Sequence, residues 1–299
     1  MKLIVVPLDG SALAEQALGF AATVARAARA KVRLVLVHHP GAVQSGDVVA
    51  AELKLRRVER EYLDRVVQRL RADGLSDVKS VILTGDPEGE LTRYAEERDP
   101  SLVVLASHGR GGLGRAWFGS VADHLIRTLA VPVVVVHARE DASPPPPVER
   151  IVVALDGSKA AEVVLDTAAE LARLLQAELV LRRVVEPVPL PADPLLPVTV
   201  AHDVELTASL ERQASDYLAG LMRRLTASGA RARAKALVGH GIARTLIDAA
   251  ADERAGLIAL ATRARGGVRR LGLGSVADKV ARGAPCPVLL LRRGRERQR

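Results

Sequence analysis

A glycine-rich stretch at residues 107–125, SHGRGGLGRAWFGSVADHL, has the composition best suited to chemistry in this chain. It follows an apolar run at 101–106 and leads into a helix-like segment from Gly119-Ser120. Glycines let successive N–H groups converge on one anion, and the first turn of a helix adds unpaired donors and a partial positive charge. The helix dipole contributes only about 0.3–1 kcal/mol at an exposed site. We therefore predict a phosphate site whose affinity comes chiefly from converging backbone N–H groups.

The elements that must position this stretch are alternating apolar strands and amphipathic helices. Apolar runs predict strands at 3–8, 32–39, 78–83, 101–106 and 131–137, and helical spacing predicts helices at 12–30, 47–73, 87–98 and 119–130. Ser11 is a candidate N-cap of the first helix. Strands without polar alternation, each followed by a helix, are typical of a doubly wound parallel sheet.

The whole pattern occurs twice. Residues from Ile151 onward repeat the first half, with Asp156-Gly157-Ser158 in the place of Asp9-Gly10-Ser11 and TRARGGVRRLGLGSVADKV in the place of the glycine-rich stretch. The separation is 147 residues at Asp9 and Asp156 but 155 at Gly119 and Gly274, so the second half contains an insertion, which we place at Pro187–Pro197. A repeat of this length indicates a duplicated domain.

Four successive prolines, Pro144 to Pro147, indicate a spacer between the two copies. We predict a first domain at 1–138, a linker at 139–149, a second domain at 150–292 and a basic tail at 293–299. Each domain is expected to contain a five-strand parallel sheet. We further expect the last strands of the two halves to pair about a pseudo-two-fold axis, and a homodimer stays open.

Composition narrows the class of protein. The net charge is +8, but the arginines are scattered among acidic residues, and aromatic residues are only 2% of the chain, so neither a basic groove nor a stacking platform for nucleic acid is indicated. No apolar run approaches the roughly 18 residues of a membrane span, and the N-terminus does not resemble a secretory signal. The single cysteine, Cys286, excludes an internal disulfide and is interpreted as a small buried hydrophobe. These features favour a cytoplasmic protein without membrane or nucleic-acid partners.

From Leu3 to Leu291 the chain resembles the universal stress proteins, in their tandem two-domain form. The family's signature is a glycine, two residues, a second glycine, nine residues and then Gly-Ser or Gly-Thr after the fourth strand. The first half matches it with Gly109 and Gly119-Ser120, and has Ala106 in place of the leading glycine. The resemblance implies a Rossmann-like fold of the adenine nucleotide α-hydrolase type and, in ATP-binding members, an adenosine nucleotide.

The resemblance also implies roles for single residues. Asp9 would contact the ribose or a magnesium-phosphate assembly, and Pro7 would lie near the adenine. Backbone groups of His39 would face the adenine edge. The phosphates would be held by Gly109, Gly119, Ser120 and the Val121 amide, at the carboxyl ends of the strands. The alternative interpretation of Asp9 is a turn and cap residue, and Ser120 and Ser275 have the same ambiguity as helix N-caps.

The second half departs from this pattern. Both leading glycines are replaced, by Ala261 and Ala264, and Ala154 stands at the position of Pro7. Alanine in a left-handed conformation costs on the order of 1 kcal/mol and adds a methyl group where a phosphate should approach. Asp156, Gly274, Ser275 and Val276 leave a weaker second site open, and nearby arginines could offset the poorer loop.

Enzymatic chemistry has little support. The loop from Gly109 to Arg115 lacks the Lys and hydroxyl of a Walker motif, and neither a Ser-His-Asp nor a Cys-His arrangement is recognisable. His38 and His39 are adjacent on a strand, point to opposite faces and cannot bind one ion together. We predict no catalytic residue, no metal held by protein alone, and slow ATP hydrolysis at most.

The leading hypothesis is a stress-response regulator that binds ATP, with or without magnesium, mainly in its first domain. The alternatives are a nucleotide-independent scaffold that regulates a protein partner and a weak ATPase.

Overall fold

Strands alternate with helices throughout the first half of the chain. The computed structural model describes residues 1–40, 48–107, 118–138, 147–190, 202–262 and 273–292. The strands of the first repeat are β1 (Leu3–Leu8), β2 (Lys31–His38), β3 (Val78–Thr84), β4 (Leu102–Ser107) and β5 (Val133–His137). Its helices are α1 (Ala12–Glu15), α2 (Ala17–Ala28), α3 (Val48–Ala72), α4 (Pro87–Arg98) and α5 (Ser120–Thr128).

The strand order of the first repeat is β3-β2-β1-β4-β5, and the neighbouring pairs are parallel. Because the chain moves outward from β1 to β3 and then returns to β4 on the other side of β1, the order reverses between β1 and β4. In an open parallel sheet, this reversal leaves a crevice at the carboxyl ends of those two strands. The fold therefore places the ends of β1 and β4, and the segments that follow them, at the expected ligand position.

The apolar runs form the core, as predicted. Ile4 and Val6 of β1 are 0% exposed, and Val104 of β4 is equally buried. Helix α2 packs its apolar side inward through Phe20 and Val24, which are 2% and 0% exposed. Burying one such side chain is worth about 1.5–3 kcal/mol, so continuous apolar strands covered by helices account for the doubly wound architecture.

The first helical segment is interrupted, although apolar spacing predicts one helix from Ala12 to Ala30. The Gln16 N–H donates to the Leu13 carbonyl (3.1 Å), three residues back, so the chain tightens there and α1 ends before α2 begins. Ser11 is confirmed as the N-cap of α1, because its Oγ accepts from the Ala14 N–H (3.1 Å). The turn after β1 is thus a separate short unit in front of the packed helix α2.

The second repeat has the same arrangement. Its strands are β6 (Arg150–Ala154), β7 (Glu178–Val185), β10 (Ala232–Val238), β11 (Leu257–Thr262) and β12 (Val288–Arg292), and its helices are α6 (Val164–Leu175), α7 (Val204–Ala227), α8 (Ile242–Asp252) and α9 (Ser275–Gly283). Strand β6 pairs in parallel with β7 and β11, and β7 pairs in parallel with β10. Both repeats are therefore α/β units that contribute five strands in the same order, and the described residues form two compact units, chiefly 1–138 and 147–288.

The second repeat contains an extra ribbon near the predicted insertion. Strands β8 (Val188–Pro189) and β9 (His202–Asp203) pair antiparallel, and Asp203 caps α7 by accepting from the Leu206 N–H (2.8 Å). Residues 191–201 lie outside the described part of the chain, as do the predicted linker residues 139–146 and the predicted tail. The β8-β9 ribbon thus follows β7, where the two repeats differ in length.

Candidate functional site

The turn after β1 places Asp9 at the carboxyl edge of the first sheet. The Asp9 Oδ1 accepts from the Ser11 N–H (2.9 Å), and Gly10 between them has φ +85°. A positive φ of this size favours glycine, because a side chain would be strained there. Asp9 is exposed. One oxygen of its carboxylate therefore fixes the turn while the group remains accessible to a ligand.

Helix α5 begins at the same edge and presents its N-terminus there. Gly119 is the N-cap, with φ −60° and ψ 160°, and its carbonyl accepts from the Asp123 N–H (3.0 Å). The interpretation of Ser120 as the N-cap is wrong, because Ser120 is already the first helical residue. A glycine cap has no side chain that could accept from the leading N–H groups, so an external anion can take that role. Ser120 is exposed, and Val121 is half-buried.

One contact shows that the N-terminal half of α5 lies near the start of α4. His124 Nδ1 in α5 lies 3.2 Å from Glu88 Oε2 in the first turn of α4, which directly follows the carboxyl end of β3. Ala106 lies near the end of β4 in register with Val136, and Pro7 lies near the end of β1 in register with Val35. Pro7, Asp9, Ala106, Gly119, Ser120 and Val121 therefore share one edge of the sheet. Gly109 lies outside the described residues.

The two adjacent histidines at the end of β2 have separate surroundings. His38 is 0% exposed and lies between two carboxylates of α3, with Nε2 at 2.6 Å from Glu52 and Nδ1 at 2.9 Å from Glu59. The exposed His39 donates through Nδ1 to the Gly85 carbonyl (3.1 Å), which fixes that tautomer. The two rings have different partners, and His39 lies one residue beyond the end of β2, so it is not on the strand as predicted. His39 thus links the end of β2 to the turn after β3.

In the second repeat the same turn is present after β6. The Asp156 Oδ1 accepts from the Ser158 N–H (2.9 Å), and Gly157 has φ +89°. Helix α9 begins at Ser275 behind the N-cap Gly274, so Ser275, like Ser120, is not the cap. Ser275 is exposed, Val276 is half-buried, and Ala264 lies outside the described residues.

A tyrosine, a glutamate and an arginine accompany this turn in both repeats, and sequence reasoning did not find them. In the first repeat Arg69 Nη2 lies 2.5 Å from Glu15 Oε2, next to Tyr62 of α3, whose pKa is raised by burial first and by Glu15 second. In the second repeat Arg224 Nη2 lies 3.1 Å from Glu162 Oε2, and the Tyr217 hydroxyl lies 3.5 Å from Glu162 Oε1. Aligning α3 with α7 at a 155-residue offset would have shown the pattern.

One arginine distinguishes the two turns. Arg183 of β7 lies with its guanidinium 5.7 Å from the centre of the Tyr217 ring and directly above Gly157. At the 147-residue offset the first repeat has Leu36 at this position, and Leu36 is 5% exposed. The signal in the sequence was a pair of arginines, at 182 and 183, inside an otherwise apolar strand.

The neighbouring Arg182, on the same strand as Arg183, takes part in a separate ion network. It is 3% exposed and pairs with Glu253, which also pairs with Arg233. Burial lowers the pKa of Arg182, and the hydrogen bond from Arg233 is the first cause that lowers the pKa of Glu253. A buried charge of this kind is tolerated because it is paired. We assign this network to stability of the second repeat.

Two further features bear on the class of protein. Within the described ranges, no group of three or more His, Cys, Asp or Glu side chains is arranged to hold a metal ion. Of the helices in those ranges, none is long and apolar enough to cross a membrane.

Comparisons with known proteins agree with the duplicated fold. A family profile described as "Universal stress protein family" matches residues 1–137 and again 147–292. Universal stress protein Rv2005c of Mycobacterium tuberculosis is 28% identical over 305 residues, which cover 97% of this chain and 96% of that protein. Universal stress protein MJ0531 of Methanocaldococcus jannaschii is 30% identical over 139 residues, or 45% of this chain and 81% of that protein.

Among solved structures, a universal stress protein from Archaeoglobus fulgidus superposes with a TM-score of 0.74 and 21% identity, covering 98% of both chains. At that identity the likeness is evidence for the fold alone. The two profile matches include almost all described residues and coincide with the two sets of five strands. The chain belongs to the universal stress protein family, with two copies of the family's domain in tandem.

Proposed function

We propose that the first repeat binds an adenosine nucleotide, ATP, and that the chain acts as a cytoplasmic stress-response regulator through this occupancy. The observation that carries the proposal is the open carboxyl edge of the first sheet. There the exposed Asp9 and the N-terminus of α5 flank the reversal of strand order, and apart from Gly10 and its chain neighbours no described heavy atom lies within 4 Å of the position that a Cβ of Gly10 would take.

The chemistry of this edge fits such a ligand. An aspartate carboxylate accepts from ribose hydroxyl groups, or binds a magnesium ion that the nucleotide brings with it. The leading N–H groups of α5, with Gly119 as a cap that lacks a side chain, fit a phosphate. Pro7 and the backbone of His39, at the ends of β1 and β2, are proposed to contact the adenine.

The proposed role is binding. Within the described ranges the first-repeat edge contains no nucleophile paired with a base, so fast turnover is not part of the proposal. The single thiol of the sequence suits a reducing compartment, which is the support for a cytoplasmic location.

Calorimetric titration of the full chain with ATP and magnesium chloride tests the proposal. Asp9→Asn is the sharpest variant, because the amide oxygen can still accept from the Ser11 N–H while the charge is lost. A hydrogen bond to a charged group is worth about 1.5–3 kcal/mol, so the Kd should rise by about tenfold to a hundredfold. Asp156→Asn makes the same change in the second repeat and should leave the Kd unchanged.

Two results would count against the proposal. No binding of ATP by the wild-type chain would favour the scaffold alternative. Equal loss in the two variants would contradict the assignment to the first repeat. Phosphate release above background that depends on Asp9 would instead support the weak ATPase.

A further inference from the structure

The turn after β6 is covered by a side chain of its own repeat. A Cβ added to Gly157 would lie 2.7 Å from Arg183 Nη1 and 2.8 Å from Arg183 Cζ. These distances mean that the guanidinium rests on the α-carbon of Gly157, next to Asp156. The Asp156 side chain is exposed, as Asp9 is, so what Arg183 fills is the space over Gly157 beside that carboxylate.

The first repeat provides an internal comparison, because its turn has the same backbone. Gly10 has φ +85° and Gly157 has φ +89°. Around Gly10, however, no heavy atom of the described residues other than Gly10 and its chain neighbours lies within 4 Å of the Cβ position. Leu36, the counterpart of Arg183, is 5% exposed and packs in the core. The three atoms nearest to the Cβ position of Gly157 all belong to Arg183, so this substitution accounts for the difference between the two glycines.

Three other side chains beside the two turns are the same. Tyr62, Glu15 and Arg69 in the first repeat correspond to Tyr217, Glu162 and Arg224 in the second. In both, the arginine pairs with the glutamate, at 2.5 Å in the first repeat and 3.1 Å in the second. The tyrosine and its partners therefore do not explain the closure.

Tyr217 holds Arg183 in place. The Arg183 Cζ lies 5.7 Å from the ring centre, within the range of a cation–π interaction. Burial raises the pKa of Tyr217 to about 12, so the phenol is neutral at physiological pH. A ligand would have to displace the guanidinium from both the ring and Gly157 before it could occupy the turn.

We propose that Arg183 closes the nucleotide position of the second repeat from within, so that the tandem chain carries one nucleotide rather than two. This inference rests on the proposed function for the identity of the ligand. Arg183 is thus the residue that makes the duplicated protein asymmetric, through an intramolecular cation placed where the first repeat leaves space.

The test is the stoichiometry of ATP binding, measured by calorimetry with magnesium chloride for the wild type and for Arg183→Leu. Leucine is the residue of the first repeat at this position, so it provides a matched exchange. We expect one nucleotide per wild-type chain and two per Arg183→Leu chain. Adding Asp156→Asn to Arg183→Leu should return the value to one, which locates the new site.

The outcomes separate this inference from the proposed function. No gain of binding in Arg183→Leu overturns the role of Arg183, whatever the wild type binds. Two nucleotides on the wild-type chain also overturn it, while leaving the first site intact. If the wild type binds none and Arg183→Leu binds one, the closure stands and the first-repeat assignment fails.

Discussion

Gly256 offers a sharp test of how tightly the second repeat is packed at the start of β11. Its N–H donates to the Arg150 carbonyl (3.0 Å), and a Cβ at this residue would lie 2.6 Å from Val148 Cα and 3.0 Å from the Pro147 carbonyl oxygen. Carbon atoms prefer separations of about 3.5–4.0 Å. The change Gly256→Ala must therefore push two main-chain segments apart by about 1 Å, and no side-chain rotation can relieve the contact.

The expected cost follows from two contributions. Overpacking of this kind costs about 1–3 kcal/mol, and weakening the hydrogen bond to Arg150 adds part of the roughly 0.5–1.5 kcal/mol of an ordinary bond. We expect the free energy of unfolding of the second repeat to fall by about 2–3 kcal/mol. Ser101 at the corresponding position of the first repeat has room for a side chain, and its Oγ accepts from the Lys2 N–H (2.9 Å).

Cys286 allows the second repeat to be followed separately. It is the single cysteine of the chain, it is 5% exposed, and burial raises its pKa to about 12. A disulfide reagent will therefore label it only when its surroundings open. If reclosing is fast, a loss of about 2–3 kcal/mol speeds labelling by roughly 30- to 140-fold. Repeating the measurement at increasing urea shows, from the slope, whether the whole repeat opens.

Gly220→Ala is the matched control. Gly220 lies within α7 of the same repeat, and a Cβ there meets no described heavy atom within 4 Å. Because alanine is the better helix former by about 0.8–1 kcal/mol, labelling of Cys286 should become slower. The reasoning is refuted if Gly256→Ala changes the labelling rate by less than about threefold, since that corresponds to well under 1 kcal/mol.

Two further predictions concern a helix cap and a titrating group. Asp86 Oδ2 accepts from the Gly89 N–H (2.8 Å) at the start of α4, so Asp86→Ala should lower the free energy of unfolding of the first repeat by about 1 kcal/mol in urea titrations followed by circular dichroism. Asp86→Asn, which keeps the acceptor, should lose much less, and equal losses would contradict the capping role. The pKa of Tyr217 is raised from 10.0 to about 12, foremost by burial, so its stabilising effect is present below about pH 10 and is lost between about pH 10 and 12. Tyrosinate absorbance should show this titration at high pH, and Arg183→Leu should move it to still higher pH. If Tyr217 titrates like tyrosine in the unfolded chain, its side chain is not buried as described.

The sequence was sufficient to predict secondary structure and repeats where a periodic pattern is compatible with only one structure. Apolar runs such as Leu3–Leu8 became buried strands with the predicted bounds, because a strand covered on both faces has no other way to bury them. The duplication predicted two sets of five strands, and Ser11 was predicted as a cap from its place before an amphipathic run. In each case the interaction is local in sequence or follows from burial alone.

Other features depend on geometry that the pattern does not contain. The break at Gln16 leaves the apolar spacing unchanged, so a continuous helix and two short ones have the same sequence signal. For Ser120 the sequence left a cap role open beside the ligand role, but the cap position depends on φ and ψ, and Gly119 occupies it instead. The contact of Arg183 with Gly157 joins residues of two different strand ends and is visible only once β6 and β7 are in register.

Adjacent arginines on β7 face different surroundings, and this decides which of them is a usable probe. Arg182 is 3% exposed and balanced by Glu253, so removing it would leave a carboxylate in a partly buried site without one of its partners. Breaking such a pair costs about 3–5 kcal/mol in a fully buried setting. Arg183 is only half-buried, and its described contacts are a ring face and a glycine α-carbon. Replacing it by leucine removes a cation–π contact of about 0.5–1 kcal/mol and leaves no buried charge without its partner. Arg183→Leu therefore opens the space over Gly157, beside Asp156, while the second repeat stays folded.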